Sequence, residues 1–439
     1  MKSSSIRGEF DKIIAERILI LDGAMGSLLQ AHGSGGCNDL LCLKKPDKIT
    51  KIHKFYLEAG ADIIETCSFN ATPISLAELG LKDLSRKISA ASAQLARKAA
   101  DKYTTPQKPR FVAGSMGPTG KSLIFTPDLD NPDIRQISFD EMEASYYENA
   151  SGLIEGGADF LLIETVFDSL NAKAALCAIK RLSKELGQDI PVMVSATVSE
   201  TGHLLTGQTI EAFCVAMLEY APIAIGLNCS FGADLLKSPL ERLCSYASCP
   251  VIFYPNAGLP DSQGHYVDTP QTMALAAESC MQAGYINIIG GCCGSTPAHI
   301  AAIANKAKDY KPRLIPSYQT KTFLGGTQVI EVDDIHEFIK TQTKETPLQS
   351  AMQAALDKGD FEDAIDHARD MAEKGLKILA FNPDKSPEPL KTIESFIFLA
   401  AAYSDLARLP IFIESASMEL IDKGLKIFQG KGLFRYTGL

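Results

Sequence analysis

The sequence predicts an α/β protein, a (β/α)8 TIM barrel with a smaller C-terminal α/β partial-barrel module. Three observations lead there. Eight short, nearly unbroken apolar runs lie between residues 18 and 294. Stretches with helical period alternate with them. The spacing of the units does not change along the run, which favours a closed barrel over a doubly wound open sheet.

The strands are expected at ILILDGAM (18–25), DIIETCSF (62–69), RFVAGSMG (110–117), FLLIETV (160–166), PVMVSATV (191–198), AIGLNCSF (224–231), PVIFYPNAG (250–258) and INIIGGCCG (286–294). Continuous apolar character marks strands covered on both faces, as in a parallel sheet. A helix is expected over 48–60, ended by glycine, and another over 138–157, opened by a capping serine and closed by Gly-Gly. Further helices read at 169–187, 209–222, 235–246, 269–284 and 296–309. Residues 310–346 are rich in Pro, Lys and Gly and read as a loosely structured connector. A second α/β segment then places a helix or helix pair at 348–375, strands at KILAF, IFIES and LFRYT, and helices at 390–407 and 418–430. Three such units cannot close a barrel. Unless TQVIEV (327–332) adds a strand, the module must pack on the first barrel, pack on another chain, or stand as a small open sheet. The boundaries expected are 1–315 for the barrel, 316–346 for the linker and 347–439 for the module.

Composition narrows the function. Apolar residues make up 46% and charged residues 22% of the chain, enough for a large soluble core. A net charge of −10 argues against nucleic acid as a partner. No apolar run has the length of a membrane span, and MKSSSIRGEFDK at the start lacks the apolar segment of a secretory signal. A cytoplasmic location is expected. The eleven cysteines form no disulfide framework, and Cys177, Cys214, Cys244 and Cys280 in helix-like runs read as core fillers.

Barrel chemistry sits at the C-terminal ends of strands. Those ends carry Asp22, Glu65 to Asn70, Ser115 to Gly120, Glu164, Ser195 to Thr197, Cys229, Asn256 and the pair Cys292-Cys293. Cys229 ends the sixth strand and the pair ends the eighth, on the order of 10 Å apart at two strand spacings, so their side chains can converge on one ion. Three thiolates around zinc with one exchangeable position make a site suited to binding a further thiol as thiolate. Spacing alone leaves a structural zinc site or two buried thiols open, although no CxxC pair occurs.

Seven segments then identify a family. LDGAMGSLLQ (21–30), NDLLCL (38–43), EAGADIIETCSFNAT (58–72), GGADFLLIETVFDSLNAKAAL (156–176), GLNCSFG (226–232), YPNAGLP (254–260) and GGCCGSTPAHIAAIA (290–304) closely resemble, in order, the homocysteine-binding domain of cobalamin-dependent methionine synthase, a homocysteine S-methyltransferase. The resemblance covers about residues 8–315; betaine–homocysteine and S-methylmethionine–homocysteine methyltransferases share the cysteine pattern more distantly. It implies that Cys229, Cys292 and Cys293 bind Zn2+, with Asn256 as a weak fourth ligand that homocysteine displaces. Asp22 and Glu164 would hold the substrate ammonium, and the backbone N–H groups of Gly23 and Ala24 its carboxylate. Ser68 would be a further substrate contact, with Glu65 near the mouth. His32, His203 and His265 read as solvated loop residues.

The second segment resembles the start of that enzyme's methyltetrahydrofolate-binding barrel. It departs at KETPLQS (344–350), FNPDKS (381–386) and IES (413–415), so a scaffold or docking platform is expected rather than a folate site. The function implied is methyl transfer to the zinc-bound thiolate of L-homocysteine, giving L-methionine. Methylcobalamin would be supplied in trans by a separate corrinoid protein. The alternatives are a small onium donor of the S-methylmethionine or betaine type, or a non-catalytic homocysteine-binding subunit.

Overall fold

The computed structural model describes residues 2–31, 36–128, 130–316 and 321–438. Eight parallel strands, β1 (Leu19–Ile20), β2 (Ile63–Glu65), β3 (Phe111–Met116), β4 (Phe160–Val166), β5 (Val192–Ala196), β6 (Ala224–Asn228), β7 (Val251–Tyr254) and β8 (Ile288–Ile289), pair in the order β1-β8-β7-β6-β5-β4-β3-β2. Leu21 bridges Ile63 in parallel, and Asp22 N–H donates to Ile63 O at 3.0 Å, which closes the ring. The chain is thus a TIM barrel with a smaller α/β sheet appended.

Alternation along each strand sorts the core into two layers. Leu19, Leu21, Ile63, Phe111, Phe160, Leu162, Met193 and Ile252 fill the barrel. Ile18, Ile20, Ile64, Val112, Leu161, Val194 and Ile225 face the surrounding helices. The N-terminal helix Lys2–Glu16, which sequence reading did not delimit, adds fully buried Phe10 to the inner layer. Its ring lies 5.7 and 5.3 Å from those of Phe111 and Phe160.

Helix limits follow local chemistry. Pro46–Ala59 stops at Gly60, φ 110°. Phe139–Glu155 starts from a capping box between Ser138 and Glu141. Ser169–Leu186 is capped by Asp168, whose carboxylate accepts from Leu170 N–H at 2.8 Å and Asn171 N–H at 3.4 Å. Ser85–Tyr103, between β2 and β3, also went undelimited; its buried face is mostly Ser and Ala, which gives little hydropathy contrast. Strands β1 and β8 are only two residues each, shorter than expected. Their glycine-rich continuations leave the sheet: Gly291 N–H goes to Asp22 O and Cys292 N–H to Pro255 O, at 3.1 and 2.7 Å.

The connector is a correction. Beyond residues 317–320, which lie outside the described residues, it holds an antiparallel hairpin of β9 (Thr322–Gly325) and β10 (Val329–Val332), then a helix, Ile335–Gln342, capped by Asp334. Composition hid these elements because Gly325 and Gly326 serve the turn itself. TQVIEV therefore pairs within the hairpin and does not extend the module's sheet. That sheet orders β11 (Leu379–Phe381), β12 (Ile411–Ser415) and β13 (Leu433–Tyr436) in parallel. Among the described residues, no helix is long and apolar enough to cross a membrane.

Of the three placements open to the module, packing on the barrel is the one observed. Buried Lys173, on the helix after β4, donates through Nζ to Phe428 O at 2.6 Å and Gly430 O at 2.7 Å. Gln208 Nε2 donates to Gly326 O and Gln429 O at 3.1 and 3.2 Å. Burial lowers the Lys173 pKa to about 8. Between that value and ~10.4 the unfolded chain binds more protons than the folded one, so Lys173 makes stability rise with pH over this window. Lys173→Met is expected to flatten that rise. It should also cost about 1–3 kcal/mol near pH 7 by leaving carbonyl oxygens unpaired. Urea denaturation of both proteins across the window measures each effect, and parallel pH curves would refute the assignment.

Candidate metal centre and acidic pocket

Cys229 follows β6, and Cys292 and Cys293 follow β8. The loop after β7 draws these ends together through the backbone: Cys229 N–H donates to Tyr254 O at 3.2 Å, Cys292 N–H to Pro255 O at 2.7 Å, and Ala257 N–H to Cys293 O at 2.9 Å. Cys229 and Ser230 both sit in left-handed backbone, φ 62° and 61°, a strain of about 1–3 kcal/mol each that the surroundings must hold. Glycine at 291 is required by close approach, since a Cβ there would lie 2.5 Å from Ser295 Oγ.

The three sulfurs lie within 4.8 Å of one another. Cys229 Sγ and Cys293 Sγ are 3.9 Å apart. Two sulfurs each ~2.3 Å from a tetrahedral zinc would stand about 3.8 Å apart, which the Cys229–Cys293 pair already matches. Proton affinity is shared unevenly. Hydrogen bonds from Cys229 and Cys292 bring Cys293 down to about 3. Cys229, drawn down by Cys292 but pushed up by Cys293 and by burial, ends at about 11. Cys292 is driven up by its bonds to both partners and by burial. Asn256 lies between the two residues whose backbones hold the cysteine pair, and its buried Oδ1 has no partner among the described residues. Three soft sulfur donors suit zinc better than magnesium or calcium.

Beside the sulfurs opens a cavity of about 250 Å3, lined by residues 23–27, 65–70, Ser115, Glu164 and the three cysteines. Glu65 and Glu164 line it, and Asp22 adjoins Glu65. Glu65 N–H donates to Asp22 Oδ2 at 3.1 Å, and Ser115 Oγ donates to Glu164. Burial raises all three carboxyl pKa values: Glu164 reaches about 7, and the charge of Glu164 adds to the rise at Asp22 and Glu65. Asp22 Oδ1 and Glu65 Oε1 are buried without a partner among the described residues. Among the described residues the cavity lining contains no Lys, Arg or His. A buried acidic cluster of this kind calls for a cation from outside the chain.

Sulfur trio and acids are coupled through Asn228. Its Oδ1 accepts from Thr165 N–H at 3.0 Å and Ser195 Oγ at 2.7 Å, which fixes the residue after Glu164 to the residue before Cys229. Ser295, Tyr56 and Asn228 belong to the site although sequence reading did not select them. Ser295 Oγ accepts from Ala24 N–H at 3.1 Å and donates to Cys292 O at 2.7 Å. Tyr56 OH donates to Ala24 O and Ser295 O, each at 3.2 Å. Asn228 adjoins Cys229 and Ser295 lies two residues after Cys293, whereas Tyr56 reads as an ordinary helix aromatic.

Two expected contacts are differently engaged. Ala24 N–H is taken by Ser295, whereas Gly23 N–H has no partner among the described residues. Ser68 lines the cavity, but its hydroxyl is spent on Thr66 Oγ1 at 2.6 Å and Ser115 O at 2.8 Å. His203 and His265 lie on exposed loops, and His32 lies outside the described residues.

The family model described as homocysteine S-methyltransferase matches residues 19–307. Among solved structures, the chain is similar to the homocysteine methyltransferase MmuM from Escherichia coli. The oxidized form is 27% identical with a TM-score of 0.55, and the match covers 69% of this chain and 99% of that one. The metallated form is 28% identical with a TM-score of 0.54 and the same coverage. The apo form is 27% identical with a TM-score of 0.52, covering 66% and 96%.

Alanine at Cys229, Cys292 or Cys293 should reduce bound zinc from about one equivalent to roughly a tenth or less after dialysis, because two thiolates do not make a stable site. Mass-spectrometric metal analysis, with circular dichroism as a check on folding, measures this. Full retention of zinc in all three variants would remove the trio as the metal site.

Proposed function

The chain belongs to the homocysteine S-methyltransferase family, and from that membership we propose that it methylates the sulfur of L-homocysteine to give L-methionine, with Zn2+ held by Cys229, Cys292, Cys293 and, in the absence of substrate, Asn256. The observation that carries this reading is the pairing of a buried acidic group lacking a cation with a thiol trio on one cavity wall. A ligand that satisfies both carries an ammonium at one end and a thiol at the other.

The residues of the chain position such a ligand. Asp22 and Glu164 take the ammonium through charge-assisted hydrogen bonds. The free N–H of Gly23, just before the helix Met25–Ala31, meets the carboxylate, and Ala24 joins once Ser295 shares its bond. With the α-carbon held there, the two-carbon arm brings the sulfur toward the cysteines. Bound Zn2+ supplies a position at which a thiol loses its proton near neutral pH while its sulfur stays nucleophilic. The sulfur lone pair forms the new S–CH3 bond as the donor–CH3 bond breaks in line, and the thiol proton leaves to solvent. What the protein contributes is orientation and exclusion of water.

We assign the donor as methylcobalamin on a separate corrinoid protein, following the likeness of the seven quoted segments to the methionine synthase domain. In this reading residues 1–315 carry the reaction and 347–439 serve as a scaffold. The eleven cysteines, all free thiols here, suit a reducing cytoplasm.

Asp22→Asn and Glu164→Gln should each raise KM for homocysteine about 10- to 100-fold, the loss of a hydrogen bond to a charged group. Methionine formation by the zinc-loaded chain, assayed with methylcobalamin, S-methylmethionine and betaine in turn, tests both reaction and donor. Binding of homocysteine without methionine from any donor would leave a non-catalytic subunit as the answer.

A further inference from the structure

Glu65 ends β2 on the wall of the same cavity, and the mechanism above does not use it. Its Oε1 is sealed from solvent and accepts no hydrogen bond among the described residues. The serine hydroxyls of the lining are committed elsewhere, Ser68 to Ser115 O and Thr66, and Ser115 to Glu164, while the buried Tyr254 OH, which feels the charges of Glu65 and Glu164, is itself unpaired among the described residues. Its backbone N–H, bonded to Asp22 Oδ2, fixes it beside that acid, and the charge of Glu164 is felt at both. Among the described residues no cationic side chain lines the cavity, so none of them pairs with Glu65 there. An acid that accepts nothing in its own protein, yet is held next to two others, leaves the empty pocket to take up protons, and a cation that brings a donor to each acid relieves it more fully.

A primary ammonium has three N–H donors. Asp22 and Glu164 account for two. We propose that Glu65 is a positioning residue that accepts the third, and that it makes the pocket selective for thiols bearing a primary α-amino group. This inference rests on the homocysteine reading and names what enforces substrate choice within it. A thiol lacking the amino group meets three uncompensated acids, and an N-methylated amine leaves one acid without its donor. Discrimination therefore comes as much from unpaired carboxylates in the wrong complex as from contacts in the right one.

The test uses the full zinc-loaded chain and two thiols, L-homocysteine and 4-mercaptobutanoate, which differs only by the missing amino group. In Glu65→Gln, KM for homocysteine should rise about tenfold or more while kcat stays within about twofold, because the contact is made equally in ground and transition states. KM for 4-mercaptobutanoate should hold or fall, as one repulsive acid is gone. The melting temperature of the ligand-free variant should hold or rise, whereas loss of a merely structural residue would lower it. Glu65→Asp, which keeps the charge on a shorter arm, should recover part of the selectivity. A ratio of the two KM values within about twofold of wild type in Glu65→Gln would overturn the proposal. Calorimetric titration with homocysteine separates this failure from failure of the parent reading. Wild-type binding that weakens in Glu65→Gln, without turnover, keeps Glu65 and discards methyl transfer; no binding by wild type discards both.

Discussion

The site depends on a set of backbone hydrogen bonds by which the loop after β7 holds the ends of β6 and β8. Tyr254, Pro255 and Ala257 clasp Cys229, Cys292 and Cys293 through main-chain atoms alone, so the sulfurs converge whatever the side chains of the loop. Two consecutive left-handed non-glycine residues, Cys229 and Ser230, show that this convergence is imposed against local preference. β6 and β8 flank β7 in the sheet, so their ends are already neighbours there. The ring in turn closes beside the same site, where Leu21 bridges Ile63 and Asp22 donates its N–H to that strand.

Electrostatics gives the pocket its direction. Burial alone would keep three clustered acids partly protonated, and no basic side chain among the described lining residues relieves them. The sulfur trio faces the same space and holds its protons unevenly. One end of the cavity thus lacks a positive charge and the other lacks a soft metal, while a free backbone N–H at Gly23 offers an anion contact between glycine-rich turns. The three deficits match the groups of a single amino-acid thiol and the ion that activates it. Asn228 makes the match rigid, because one amide oxygen fixes the residue after Glu164 and the residue before Cys229 together.

Strand ends were legible because continuous apolar runs and glycine-rich exits mark them locally, and the barrel rule then turned sequence positions into neighbours: Asp22, Glu164, Asn256 and the cysteines all fall at one mouth. What stayed hidden is what depends on distant partners. Ser68 reads as a pocket hydroxyl, but β3 claims it through Ser115 O. The Ala24 amide reads as free, but Ser295, far along the chain, reaches it. The helix Ser85–Tyr103 hides because small residues packed against β2 and β3 bury little apolar area per position. Glu65 was visible as a strand-end acid; its weight became clear only when its oxygen proved to have no partner.

The appended module meets the barrel at a place that bears on the chemistry. Its three-stranded sheet has a cavity of about 380 Å3 at the strand ends, but the amides there are consumed internally, with Gln353 Nε2 donating to Asn382 O at 2.6 Å and Asp357 Oδ1 at 2.8 Å. Its strongest polar attachment is instead to the βα unit that carries Glu164. From that acid the chain runs through Thr165 at φ 55°, a strained conformation for a β-branched residue, to the cap Asp168. One turn further on, Lys173 binds Phe428 O and Gly430 O. Asp168 also receives Ser122 Oγ and Leu123 N–H from the loop after β3, at 2.5 and 2.9 Å. The module is thereby bonded to the same helix whose cap, Asp168, closely follows the strained exit of Glu164.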